Sequence, residues 1–160
     1  MILGLSVAVA VIILDQLSKY WIQSHVMADA PVIALTSFFN LVTAWNTGVS
    51  FSMFNDGGKF GIAALSILAL VIVWLLLCWL RREDNPLMQT ALGFIIGGAV
   101  GNVIDRIRLG AVFDFLDFHL AGQHWPAFNA ADSFICVGAM IIIIHSAWGK
   151  SEKVEKGENK

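Results

Sequence analysis

Four long apolar runs dominate the chain, at Ile2–Ile22, Phe60–Leu80, Leu87–Ile104 and Ala130–Trp148. A helix needs about 20 mostly apolar residues to cross the roughly 30 Å hydrocarbon core of a bilayer, and each run is close to that length. The second carries no charge between Gly61 and Leu80. The first is interrupted by Asp15, Gln16, Ser18 and Lys19, and the third reaches a small-residue stretch, GGAVGN, near its end. The pattern predicts four antiparallel membrane helices with both termini on one side. Between the first two runs, TSFFNLVTAWNTGVSFSMF is rich in Phe, Val, Thr and Trp and is broken by Asn46-Thr47-Gly48, which reads as short strands around a turn. Between the last two, GAVFDFLDFHLAGQHWPAFN holds Phe113, Phe115, Phe118, Trp125 and Phe128, aromatic rings suited to the membrane–water interface. The expected fold is an all-α membrane protein, one domain over residues 1–160, with a small β-like cradle and loop platform on the outer helix ends.

Composition agrees with that class. Of 160 residues, 58% are hydrophobic and 14% charged, against roughly 25% charged in ordinary soluble domains. The net charge of −2 and the absence of a basic stripe argue against a nucleic-acid partner. Cys78 and Cys136 lie inside apolar runs and read as small lipid-embedded hydrophobes. Arg81, Arg82, Lys150, Lys153, Lys156 and Lys160 mark the inner side, against Lys59, Arg106 and Arg108 outside with Lys19 near that end. The polar tail, residues 150–160, reads as a disordered cytoplasmic segment. A cleaved secretion signal is the rival reading of the N-terminus. No basic residue precedes the first apolar run, however, and Asp15–Lys19 separates it from the small-residue pattern Ala28-Asp29-Ala30.

Polar residues gather at one depth. With both termini inside, Asp15–Lys19, Asn102–Arg106 and Asn129–Asp132 all lie at outer helix ends. Ionisable groups in a membrane are expensive and usually face the bundle interior or water, so a shared polar pocket accounts for several helices carrying them at one level. Each group also has a plainer role. Asp15 and Lys19, at i and i+4, form an ion pair; Asp105 and Arg106 close the third helix, with Arg106 reaching headgroup phosphates; Asn129 and Asp132 have the spacing of an N-cap and its N3 partner. His119, His124 and His145 lack metal-ligand spacing, so neither metal nor cofactor is expected.

Asp114, Asp117 and Asp132 are left without an obvious cationic partner in the sequence. Two carboxylates held together share one proton, and one then acts as base on water while the other, protonated, polarises a carbonyl. This is aspartic-protease chemistry. The rival is a small transporter or proton channel, which would place polar groups near the midplane, often with an internal repeat or broken helices.

The stretches LDQLSK (14–19), WNTGVSFSMF (45–54), GGAVGNVIDRIRLGAVFDFLDF (97–118) and FNAADSFICVG (128–138), in this order, make the chain resemble the bacterial lipoprotein signal peptidase (type II signal peptidase) family over essentially its full length. The resemblance implies a four-helix inner-membrane aspartic protease with a periplasmic cradle. Such an enzyme removes the signal peptide of prolipoproteins just before a diacylglyceryl-modified cysteine. It implies catalytic Asp114 and Asp132, substrate contacts at Asn46, Gly48, Asn102, Arg106 and Asn129, and supporting roles for Asp15, Lys19 and Asp105. It also implies membrane lipid as a partner and cyclic peptide antibiotics such as globomycin as inhibitors. Trp45, Val49 and Ala130 depart mildly from the family pattern without removing a functional group. On physical grounds Asp132, at a helix N-terminus, is the expected base, and Asp114, flanked by Phe113 and Phe115, the proton holder. Asp117, three residues along an extended segment, is expected on the opposite face. Gly48, Gly57 and Gly58 make the segment 46–58 a candidate for closing over substrate.

Overall fold

The computed structural model describes residues 1–48 and 58–155, and the side chains of residues 1–48 and 60–148. Val49, Phe51, Met53 and Phe54, and most of the segment expected to close over substrate, lie outside the described residues. Helix α1 spans Ile2–Trp21 and runs on through a π-helical turn, Ile22–Val26. Strands β1 (Val32–Ala34) and β2 (Phe39–Asn46) follow, then helices α2 (Gly58–Leu80) and α3 (Pro86–Leu109). Strands β3 (Val112–Leu120) and β4 (Gln123–His124) lead to helix α4 (Ala130–Glu155). Four segments are long and apolar enough to span a membrane: Ile2–Val26, Phe60–Leu80, Pro86–Leu109 and Ala130–Trp148.

Helix α3 is the central one. The most apolar window of α3 is 56% buried within the protein, against 6% for α2 and 11% for α4, so those two present most of their surface to lipid. Apolar side chains gain little from leaving lipid, so membrane helices associate through close packing, which small residues permit. A Cβ at Gly97 would lie 2.7 Å from the Ala8 carbonyl oxygen on α1, and one at Gly98 2.5 Å from that of Ala131 on α4. The GGAVGN stretch therefore draws both neighbours onto α3 near the level where the polar side chains sit.

Two boundaries differ from the sequence reading. Helix α3 runs five residues past Ile104 and stops at Gly110, which adopts a left-handed φ of 74° and donates its N–H to the Arg106 carbonyl. Glycine accepts this conformation without a Cβ clash, so Gly110 closes the helix, and Asp105 and Arg106 are free for other contacts. At the other end, α4 continues through Glu155, where a disordered tail was expected from residue 150. Extending an existing helix needs no new nucleus, and Lys and Glu are good helix formers.

The two outer loops form one antiparallel sheet of order β1-β2-β3-β4. β2 pairs with β1 (Ile33 opposite Leu41) and with β3 (Phe39 opposite Phe118, Asn46 opposite Val112). Its partners thus lie upstream and in the second outer loop. A register shift between Leu41 and Ala44 lets β2 follow β3 down to Asp114. Met27, Leu41, Phe113 and Phe115 form a small apolar core beneath the sheet. Sheet and bundle meet where β3 begins, two residues past the α3 cap.

Candidate active site

The start of α4 carries the first carboxylate. The backbone N–H of Asn129 donates to Asp132 Oδ2 at 3.2 Å, and the Asp132 N–H donates to Asn129 Oδ1 at 3.0 Å. This reciprocal cap satisfies two amides that the helix leaves open. It occupies one Asp132 oxygen; the other, Oδ1, accepts from Asn102 Nδ2 at 2.8 Å across the α3–α4 seam. Asp132 is thus both cap and pocket residue.

The second carboxylate, Asp114, is buried on β3. Its Oδ1 accepts from Asn129 Nδ2 at 2.7 Å and its Oδ2 from Asn46 Nδ2 at 3.0 Å. Asn129 therefore holds Asp114 with its amide and Asp132 with its backbone, and links the two acids. Asn46 is fixed in turn: its Oδ1 accepts the N–H of Gly48 at 2.8 Å, which turns its NH2 group toward Asp114. Gly48 has φ 75°, and an added Cβ would collide with Leu65 on α2. Burial pushes the Asp114 carboxyl up to about 6; the Asn46 hydrogen bond opposes the rise and the Asp132 charge adds to it.

Behind this pair lies a network that the sequence only partly exposes. Lys19 Nζ, with Asp15 and Asp105 almost wholly buried around it, lies 2.9 Å from Asp15 Oδ2, 2.7 Å from Asp105 Oδ2 and 3.0 Å from Asn102 Oδ1. The predicted Asp15–Lys19 ion pair is present, with Asp105 as a third member. Asp15 Oδ1 also accepts the Ala131 N–H at 3.0 Å, so α1 helps to cap α4. Asp105 Oδ2 accepts the Phe113 N–H at 3.3 Å and ties α3 to β3. Lys19 donates to the oxygen of Asn102, which leaves the NH2 of that amide to face Asp132.

Arg106, expected to close α3 or to reach headgroup phosphates, instead joins Asn102, Ala69, Ile72, Ile95, Ala99 and Ile135 around a cavity of about 230 Å³. Its Nε is buried with no hydrogen-bond partner among the described residues. Asp117 has different company from Asp114. Asn40 Nδ2 donates to its Oδ2 at 2.8 Å, and His124 Nδ1 lies 2.9 Å from its Oδ1. The partner not apparent in the sequence is His124, brought across by the β3–β4 hairpin. Burial raises the Asp117 carboxyl, but hydrogen bonds from His124 and Asn40 outweigh it and hold the group below the usual range. The two strand aspartates are thus pushed in opposite directions.

Gln16 and Asn40 carry contacts that the sequence reading did not assign. Gln16 Nε2 donates to Asp105 Oδ1 at 2.8 Å and to the Gly101 carbonyl at 3.3 Å. Its place beside Asp15 in an apolar run was the available signal. Among the described residues, no group of three or more His, Cys, Asp or Glu side chains is arranged to hold a metal ion.

Comparison with known proteins identifies the arrangement. The profile of the family described as "Signal peptidase (SPase) II" matches residues 7–148. A protein of Ralstonia nicotianae named "Lipoprotein signal peptidase" is 47% identical over 148 residues, covering 88% of this chain and 81% of the relative. One of the same name from Shewanella loihica is 42% identical over 155 residues, covering 96% and 89%. A solved structure titled "Bacterial membrane enzyme structure by the in meso method at 1.9 A resolution" superposes with a TM-score of 0.75 at 31% identity, covering 89% of this chain and 90% of that one. A second, with the same title at 2.3 Å, gives 0.74 at 28% identity, covering 98% and 92%. The four spanning helices, the small sheet and these matches make this chain a multi-pass membrane peptidase that belongs to the signal peptidase II family.

Proposed function

We propose that this protein is an aspartic endopeptidase that removes the signal peptide of prolipoproteins immediately before the diacylglyceryl-modified cysteine. In this reading it lies in the bacterial inner membrane with both termini cytoplasmic and the pocket at the periplasmic face. The observation that carries the reading is the pair Asp114 and Asp132, linked through Asn129, with burial raising the Asp114 carboxyl. Asp132, at the start of α4, takes a proton from water as that water attacks the scissile carbonyl carbon. Asp114, protonated, hydrogen-bonds the carbonyl oxygen and transfers its proton there as negative charge develops, giving a neutral tetrahedral diol. As the tetrahedral intermediate collapses, the C–N bond breaks, Asp132 passes its proton to the leaving amine, and Asp114 recovers its own from the intermediate's hydroxyl. No metal or cofactor enters these steps. The Arg106 and Asn102 side chains are suited to hold peptide carbonyls beside the pair, and Lys19, Asp15 and Asp105 brace them. A transporter reading fits less well: the charges occupy the last turns of α1 and α3 and the first of α4, at one end of the bundle.

The test is incubation of the purified protein with a lipidated prolipoprotein. Cleavage is expected to persist in chelator and to be blocked by globomycin; activity lost to chelator and restored by zinc would overturn the scheme. The same assay reads the proton on Asp114. A carboxyl raised to about 6 is protonated below that pH and ionised above it. Because the free enzyme must hold the proton to react, kcat/KM is expected to fall as pH rises through about 6. The Asn46 hydrogen bond favours the ionised form, so Asn46→Ala is expected to move this limb to higher pH. A limb that stays fixed, or moves down, would show that another group titrates.

A further inference from the structure

Two cavities lie near Asp132, one lined by Asp132 itself and one by its hydrogen-bond partner Asn102, and they differ in size and chemistry. The first is the cavity of about 230 Å³ among α2, α3 and α4, which contains Asn102 and Arg106. The second, about 530 Å³, lies under the β4–α4 connection and is lined by Trp125, Pro126, Ala127, Phe128, Ser133, Cys136 and Asp132 itself. On α4, Asp132 and Cys136 are one turn apart and share a face, while Ile135 points to the smaller cavity. The wall of the larger one is firmly built: Leu116 and Phe128 exchange both backbone hydrogen bonds, at 2.8 and 3.1 Å, and the Trp125 N–H donates to the Phe118 carbonyl at 2.8 Å.

We propose that the groove under Trp125 and Phe128 receives the diacylglyceryl group of the substrate, and that the Arg106 cavity receives the peptide on the other side of the scissile bond. This rests on the peptidase reading above and assigns its two halves. The buried Arg106 Nε, which has no partner among the described residues, calls for an acceptor, and a peptide carbonyl supplies one where an acyl chain does not. The larger groove is mostly apolar, with Asp132 and Ser133 at the active-site end and an aromatic rim of the kind that lies at the headgroup level. Trp125 is 70% exposed and Cys136 also faces outward, so acyl chains seated there run on into lipid while the thioether stays beside Asp132.

Cys136 makes the assignment measurable. In a Cys78→Ala background, Cys136 is the one remaining thiol, and its alkylation by N-ethylmaleimide can be followed by mass spectrometry. A short peptide beginning with diacylglyceryl-cysteine is expected to slow the reaction by about tenfold at ten times its Kd. The same peptide with serine in place of the lipidated cysteine is expected to leave the rate unchanged. Equal protection by both, or by neither, would overturn the proposal. In steady-state cleavage, Cys136→Trp, which fills the groove, is expected to raise KM for the lipidated precursor by about tenfold while kcat changes little. An unchanged KM in that variant, with a raised KM in Ala99→Leu, would put the lipid in the smaller cavity instead. Failure of the unsubstituted enzyme to cut the precursor would sink the peptidase reading, whereas lipid-specific protection of Cys136 would still identify what the groove binds.

Discussion

Asp132→Asn is expected to leave the protein inserted and folded while cleavage falls by at least about 10²–10⁴-fold, the usual loss when general acid–base help is removed. Asparagine still offers one oxygen to the Asn129 N–H and so preserves the cap at the start of α4, although its NH2 group then faces that of Asn102 and costs about 1–3 kcal/mol. It has no carboxylate to take a proton from water. Asp114→Asn is expected to lose activity to a similar degree for the complementary reason, because an amide cannot give up and recover a proton through the cycle. It also carries a structural cost. Asp114 accepts from both Asn129 and Asn46; an amide offers only one oxygen, which leaves one donor facing another and costs about 1–3 kcal/mol. Asp117→Asn is the control. It alters the His124 contact on the sheet and is expected to retain most activity. An inactive Asp117→Asn beside an active Asp114→Asn would show that the wrong strand aspartate has been assigned.

The largest effect on stability is expected at Lys19. Methionine has a similar length and no charge, so Lys19→Met leaves Asp15 and Asp105 buried without their common cation. Removing one partner of a buried ion pair typically costs about 3–5 kcal/mol, and here a single removal strands two acids. Thermal unfolding in detergent should show a large drop in midpoint. Adding Asp105→Asn to Lys19→Met is expected to recover part of it, because one stranded charge is gone and the two sites are in contact. If the double variant were less stable than the single one by the full cost of Asp105→Asn alone, the two residues would not be coupled and the network would carry little energy.

Much of this architecture was legible from the chain because a bilayer imposes a simple rule. Runs of about 20 apolar residues mark the spans, and polar residues interrupting them at one level mark the pocket. The Asn129–Asp132 spacing foretold the reciprocal cap. What remained hidden depended on long-range pairing. Nothing near Asp117 in sequence order announces that Asn40, 77 residues away, will donate to it. The pairing of β2 with β3 likewise joins loops separated by two membrane crossings. The reach of α3 to Leu109 was missed because its last turns are polar, and hydropathy cannot separate a polar helical turn from a loop. Gly110 was the informative residue there. The role of Lys19 in orienting Asn102 was out of reach for a related reason: α1 and α3 must be packed together before its ammonium has three oxygens around it.

The central claim is that Asp114 and Asp132 together cut a lipidated precursor at one bond. The most direct measurement is intact-mass analysis of the products formed from a purified, diacylglyceryl-modified prolipoprotein by the reconstituted enzyme, run beside the Asp114→Asn and Asp132→Asn variants. The predicted result is two fragments, one beginning with the diacylglyceryl-cysteine, from the unsubstituted enzyme, and intact precursor from both variants. Cleavage at a different bond, or the same fragments from either variant at an undiminished rate, would contradict it.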